Sequence, residues 1–167
     1  MDLEKERLDW ADKLLARQLD WIGRYDTKST LLLGICTAML GALFSVTPKL
    51  REFNDLLSGS TLITLLLLAG ALLFLVFAQF PRTREGKGAP KSSIFFGSIA
   101  GQKSAEFVAD FQKRAADEHL CDLLWQTHRN AEIVQSKFCN LQVAYICFGL
   151  SLVPWSAAIY LAKGGTL

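Results

Sequence analysis

Charge is missing from three long stretches of this 167-residue sequence. Residues 29–47, 56–80 and 138–162 hold no Asp, Glu, Lys, Arg or His. At about 1.5 Å of rise per helical residue, each nearly matches or exceeds a bilayer core of roughly 30 Å. Three such helices in so short a chain leave little amphipathic surface to cover them in water, so the composition predicts a membrane protein. The same absence argues against a pump or coupled transporter, which usually needs an ionisable residue in mid-span.

Catalytic and metal-binding patterns are missing too. Cys36, Cys121, Cys139 and Cys147 form no C-x-x-C and no zinc spacing, and read as small hydrophobes in core or lipid. His119 and His128 fall on nearly opposite helix faces and make no metal pair. There is no P-loop, no G-x-G-x-x-G and no nucleophile–base arrangement. "HRN" at 128–130 lacks the Asp that a kinase loop requires. The expectation is a non-enzyme with no metal, no cofactor and no nucleic-acid partner.

What is present is organised around the spans. The first follows 28 residues carrying 13 charged side chains. That is too late and too charged for a secretory signal, so the span is expected to be retained. Lys and Arg number six in 1–28 and nine in 81–137, against two in 48–55 and one in the tail. This bias places the N-terminus and the central segment in the cytoplasm. The expected order is a cytoplasmic amphipathic helix (1–28), transmembrane helix (29–48), external loop (49–55), transmembrane helix (56–81), cytoplasmic helical segment (82–137), transmembrane helix (138–162) and external tail (163–167). The fold class is an all-α membrane protein with a cytoplasmic helical layer, its first and last helices running unbroken from cytosol into lipid.

Local patterns refine this. Leu8, Leu15 and Ile22 recur at sevens with Ala11 and Leu19 between, beside a second apolar line of Trp10, Leu14, Trp21 and Tyr25. Gly34, Ala38 and Ala42 make a small-residue face suited to close helix packing, within the chain or between copies, and a homo-oligomer is expected. "EGKGAPKSS" reads as a loop, and "IFFGSIAG" as a short strand or helical turn. Ser104 reads as the N-cap of a helix to about Ala116, with Phe107, Val108, Phe111 and Ala115 facing inward. From about Asp117 the last helix carries a heptad seam: Leu120, Leu124, Thr127, Ala131, Val134, Phe138 and Leu141. Pro154 predicts a kink, and Trp155 and Tyr160 an outer aromatic belt.

The polar run "DLLWQTHRNAEIVQSKF" (122–138) leads into the third span with no Gly, Pro or turn cluster. Along it Asp122, Gln126, Asn130, Ile133 and Lys137 fall within about 80° of one another, in a stripe roughly 110° from the seam. Asp26 and Lys28 stand at the mouth of the first span, and "PRTR" at that of the second. One reading is a ligand site. Lys28, Arg82 and Lys137 would neutralise a phosphate, Gln126 and Asn130 would read a base edge, and Phe95 or Phe96 would stack on it. The other is a solvated face with a few inter-helix ion pairs.

Four pieces in order carry a resemblance: "DTKSTLLLG" opening the first span, "FPR" closing the second, "SSIFFGSIAG" after the loop, and "DLLWQTHRNAEIVQSKF". From about Asp26 to Ala144 the chain resembles the transmembrane effectors of Pycsar antiphage systems. The resemblance implies that a partner cyclase makes a cyclic pyrimidine mononucleotide, cCMP or cUMP, on phage infection. The effector then impairs the bacterial inner membrane. The motif positions carried over are Asp26, Lys28, Phe96, Gly97, Asp122, Gln126, Asn130 and Lys137. A constitutive small channel, or a membrane-anchored scaffold docking a protein through the seam, is the competing expectation. An intramembrane enzyme lacks a placed reactive residue.

Overall fold

The computed structural model describes residues 2–48, 54–80 and 91–164. These form α1 (Asp2–Val46), α2 (Asp55–Gln79), α3 (Phe96–Ala100), α4 (Ser104–Lys113) and α5 (Ala116–Ala162), with no strand among the described residues. Three of them, α1, α2 and α5, are long and apolar enough to cross a membrane. The first and last helices are unbroken, 45 and 47 residues each. Arg82, Pro81 and most of the 85–93 loop lie outside the described residues.

The chain divides into two compact units. One is built from the described parts of 1–24 and 81–136, the other from those of 25–80 and 137–167. In the first unit, Ala11 and Leu15 of α1 pack with Leu123 of α5, and Leu8, Ile94 and Leu120 flank them. In the second, Tyr25, Leu32, Cys36 and Met39 of α1 meet Leu68, Ala71, Leu75 and Ala78 of α2 and Leu141 and Ala144 of α5.

The burial pattern of α1 is a heptad along most of its length. Ala11, Leu15, Gln18, Ile22, Tyr25, Ser29, Leu32, Cys36, Met39 and Leu43 alternate spacings of four and three, and each is buried or half-buried. A period of 3.5 keeps one stripe facing its neighbours along a long helix. The same holds for α5: Leu120, Leu123, Thr127, Asn130, Val134, Lys137, Leu141, Ala144, Phe148, Ser151, Trp155 and Ala158 are all buried or half-buried. Of the seam expected from apolar residues, Leu120, Thr127, Ala131, Val134, Phe138 and Leu141 are buried or half-buried, and one position is corrected, Leu124 to Leu123. Leu124, expected inside, is 46% exposed.

Other local expectations also shift. Leu19, Trp10, Leu14 and Trp21 face outward. Gly34, Ala38 and Ala42 are exposed, so packing inside the chain does not use that face. It uses small residues elsewhere: Ser29, Ser60, Thr64, Ala71, Ala78, Ala144, Ser151 and Ala158 are buried. α5 continues through Pro154. Trp155 turns inward, its indole N–H donating to the Met39 carbonyl at 3.0 Å. That bond pins α5 to α1 where no water competes for the carbonyl. Ser104 lies inside α4, whose N-cap is Lys103. No residue of α4 is buried, and Val108 and Phe111 are exposed. At the start of α2, Asn54 accepts from the Leu57 N–H at 2.7 Å, a side-chain cap that satisfies an otherwise free donor.

Candidate functional site

Each unit holds one organised polar cluster. In the first unit it centres on Asp122, 3% exposed. Its Oδ2 accepts from the Ser93 N–H at 2.7 Å, the Ser93 hydroxyl at 3.0 Å and Arg114 Nη1 at 3.0 Å. Arg114 Nη1 also donates to Ser93 Oγ, and Nη2 to the Lys91 carbonyl at 2.9 Å. Arg114 sits at the break between α4 and α5, so one guanidinium ties the 91–93 strip to the start of the long helix. A fork with several donors suits this; an ammonium does not span it.

The strip is shaped by its own sequence. Buried Ser92 accepts from the N–H groups of Ile94 and Phe95, turning the chain into α3. Gly97 follows, and a Cβ there would meet the Phe95 ring at 2.5 Å. Gly97→Ala is expected to displace Phe95 and cost about 1 kcal/mol, as overpacking does. Gly101→Ala, with its nearest neighbour at 3.4 Å, is the milder comparison. Thermal unfolding in detergent checks both.

Lys91 pairs with Asp110 at 2.7 Å on the surface, and that hydrogen bond holds the Asp110 carboxyl below its ordinary value. Beside the cluster lies a hollow of about 440 Å³, lined by Lys91, Arg114, Asp117, Glu118, Cys121 and Asp122.

In the second unit, Lys137 Nζ meets Asp26 Oδ1 at 2.7 Å. The ammonium lies 4.8 Å from the centre of the Tyr25 ring, which packs edge-on to Phe138 at 5.9 Å. Ser29 donates to the Asp26 carbonyl at 3.0 Å, and Gln79 of α2 donates to Ser29 Oγ at 3.3 Å. α1, α2 and α5 thus meet through polar groups at the mouths of the three apolar runs. Lys137 is the buried partner, its side chain 13% exposed against 51% for Asp26.

The residues singled out from sequence are placed as follows. Asp26 and Lys137 meet each other. Asp122 anchors the Ser93–Arg114 network. Gln126 and Asn130 are half-buried on α5 in the first unit. Lys28 and Phe96 are exposed, the Phe96 ring 4.7 Å from that of Phe95. Arg82 lies outside the described residues. Sequence reasoning missed Arg114, Lys91 and Ser93. Of these only Arg114 carried a signal: a cation at a helix junction, eight residues before an Asp on the inner side of the next helix. No group of His, Cys, Asp or Glu able to hold a metal stands among the described residues.

Neither a curated protein nor a solved structure matches the chain. A family model described as the Pycsar effector protein domain matches residues 10–162, which takes in most of α1, all of α2 and α5, and both polar clusters. With that match on three membrane-length helices, the chain belongs to the Pycsar effector family and is an antiphage membrane effector.

Proposed function

We propose that this effector is triggered by a cyclic pyrimidine mononucleotide, cCMP or cUMP, supplied by a partner cyclase, and that it then impairs the bacterial inner membrane. The observation that carries this reading is α5 itself. Its polar half is anchored at Asp122 and its apolar half begins at the Asp26–Lys137 pair, within one unbroken helix. A ligand that binds one arrangement of the start of α5 better than another shifts the protein toward that arrangement. In this reading Asp26 and Lys137 form the resting latch. In the first unit, exposed Phe96 is open to a base, and half-buried Gln126 and Asn130 present amides along α5. The Lys/Arg bias supports a cytoplasmic N-terminus, on the side where a cyclase product accumulates. The outward Gly34–Ala38–Ala42 face supports assembly of several copies.

The test is depolarisation and dye leakage in cells expressing the protein while cCMP, cUMP and cyclic purine nucleotides are raised in turn. Leakage with a pyrimidine nucleotide alone is the expected result. Leakage with none of them overturns the trigger. A second reading, a scaffold that docks a protein, draws on outward-facing Leu124 and Trp125 in the first unit. It predicts a stoichiometric protein partner and no nucleotide response.

A further inference from the structure

We propose that the hollow beside Asp122 receives the triggering nucleotide, and that it favours cytidine over uridine. The proposal rests on the nucleotide-trigger reading above and gives that reading a place.

The hollow's volume, about 440 Å³, falls in the range of roughly 300–1,000 Å³ usual for small-molecule pockets. Its lining is mixed: Lys91 and Arg114 supply positive charge, and Asp117, Glu118 and Asp122 supply negative charge. A bare anion meets more repulsion than attraction there. A ligand carrying one negative charge together with hydrogen-bond donors suits it.

The two cations are not equally available. Arg114 is committed to Asp122 in a mostly buried pair, its side chain 18% exposed. Breaking that pair strands a buried charge. Lys91 holds Asp110 in a pair whose side chains are both more than half exposed, and such pairs contribute little. A phosphodiester therefore exchanges with Asp110 at Lys91 and leaves the Arg114 pair intact. Arg114 still has donors to give, because its three bonds use only part of its five N–H groups.

The carboxylates accept hydrogen bonds and donate none. A ribose hydroxyl satisfies one. The base decides the rest: cytosine offers an exocyclic amine, which Asp or Glu takes, whereas uracil's one donor, N3–H, lies between two carbonyls that a carboxylate repels. Asp117, Glu118 and Cys121 all belong to the first turns of α5, so the ligand would grip the rod that enters the membrane.

Cys121 is an exposed thiol on the hollow's wall and serves as the reporter. The intact protein in vesicles is treated with N-ethylmaleimide, and alkylation of each cysteine is followed by peptide mass spectrometry. Cys121 of the nucleotide-free protein is the reference, because the other three cysteines lie in the apolar runs. With cCMP at ten times its Kd, Cys121 alone should react about tenfold more slowly, by simple occupancy. cUMP should protect only at higher concentration, and inorganic phosphate not at all. Lys91→Ala should weaken protection by both nucleotides, and Glu118→Gln should narrow the gap between them. Equal protection by cCMP and cUMP overturns the base preference. Equal protection by phosphate overturns the nucleotide assignment. Leakage that follows a nucleotide while Cys121 stays unprotected overturns the hollow and leaves the trigger standing. Absence of leakage with every nucleotide removes the trigger itself.

Discussion

Asp122→Ala is expected to destabilise the first unit by about 3–5 kcal/mol, because it leaves the Arg114 guanidinium largely buried without its carboxylate. The Arg114 side chain keeps only 18% of its surface, so water cannot replace the lost partner. Arg114→Ala should cost a similar amount, since it strands the carboxylate of Asp122, 3% exposed, on Ser93 alone. The double variant Asp122→Leu/Arg114→Met removes both charges and should recover much of the loss. The coupling between the two sites is then large and favourable, well outside the additivity seen for independent sites. Chemical or thermal unfolding in detergent, followed by circular dichroism, measures it. Additive single losses would mean that the pair does not hold the unit. The variants also carry a functional expectation. Both singles free the start of α5 from the 91–93 strip, so a nucleotide response should be lost while the protein stays in the membrane.

That pair shows where sequence reading succeeded and where it stopped. Asp122 was singled out because it sits at helical spacing with other polar residues, and spacing along one helix is legible. Its partners were not. Ser93 is 29 residues away and Arg114 eight residues away across a helix break. No periodicity links them to Asp122; only the turn made by Ser92 and the break after α4 bring them together. The spans were legible for a simpler reason. A charge in mid-membrane is so costly that its absence over 19 or 25 residues marks the segment.

The α5 seam is the more instructive case. Choosing apolar residues at four-three spacing gave Leu124, Ala131 and Phe138. Burial replaces Leu124 with Leu123, keeps Ala131 and Phe138 half-buried, and adds Asn130 and Lys137 beside them. The two patterns also share Leu120, Thr127, Val134 and Leu141, so the helix's facing was nearly right. Polar side chains on a seam defeat a hydrophobic criterion. They also carry information, because a polar residue at one seam position fixes register at a cost in stability. Asn130 and Lys137 lie seven apart on that seam, and Lys137 finds an opposite charge there. The small residues of the first span left packing within the chain or between copies open, and burial removes the first alternative. Inside the chain Ser29, Leu32, Cys36, Met39 and Leu43 form the packing face, and Gly34, Ala38 and Ala42 face outward. Several stripes on one apolar helix satisfy the same spacing, and only the neighbours decide between them.

Lys137→Ala should open the effector without its signal. The ammonium is held by Asp26 at 2.7 Å and by the face of Tyr25 at 4.8 Å, in a mostly buried position on α5. Asp26 is half-exposed, so the ion pair alone contributes about 1 kcal/mol, and the cation–π contact adds about 0.5–2 kcal/mol. A sum near 1.4 kcal/mol or more shifts a resting-to-active equilibrium about tenfold. Basal leakage should rise accordingly, and less nucleotide should be needed for full response. Tyr25→Leu should move both in the same direction by a smaller amount. The opposite outcome is informative: if Lys137 holds the phosphate of the ligand, Lys137→Ala lowers the response and leaves basal leakage unchanged. The exchange Asp26→Lys/Lys137→Asp separates the two roles. A latch depends in part on opposite charges in contact, and the exchanged pair restores these while losing the Tyr25 contact, so basal tightness returns in part. A phosphate site depends on a cation at position 137, and the exchange abolishes it.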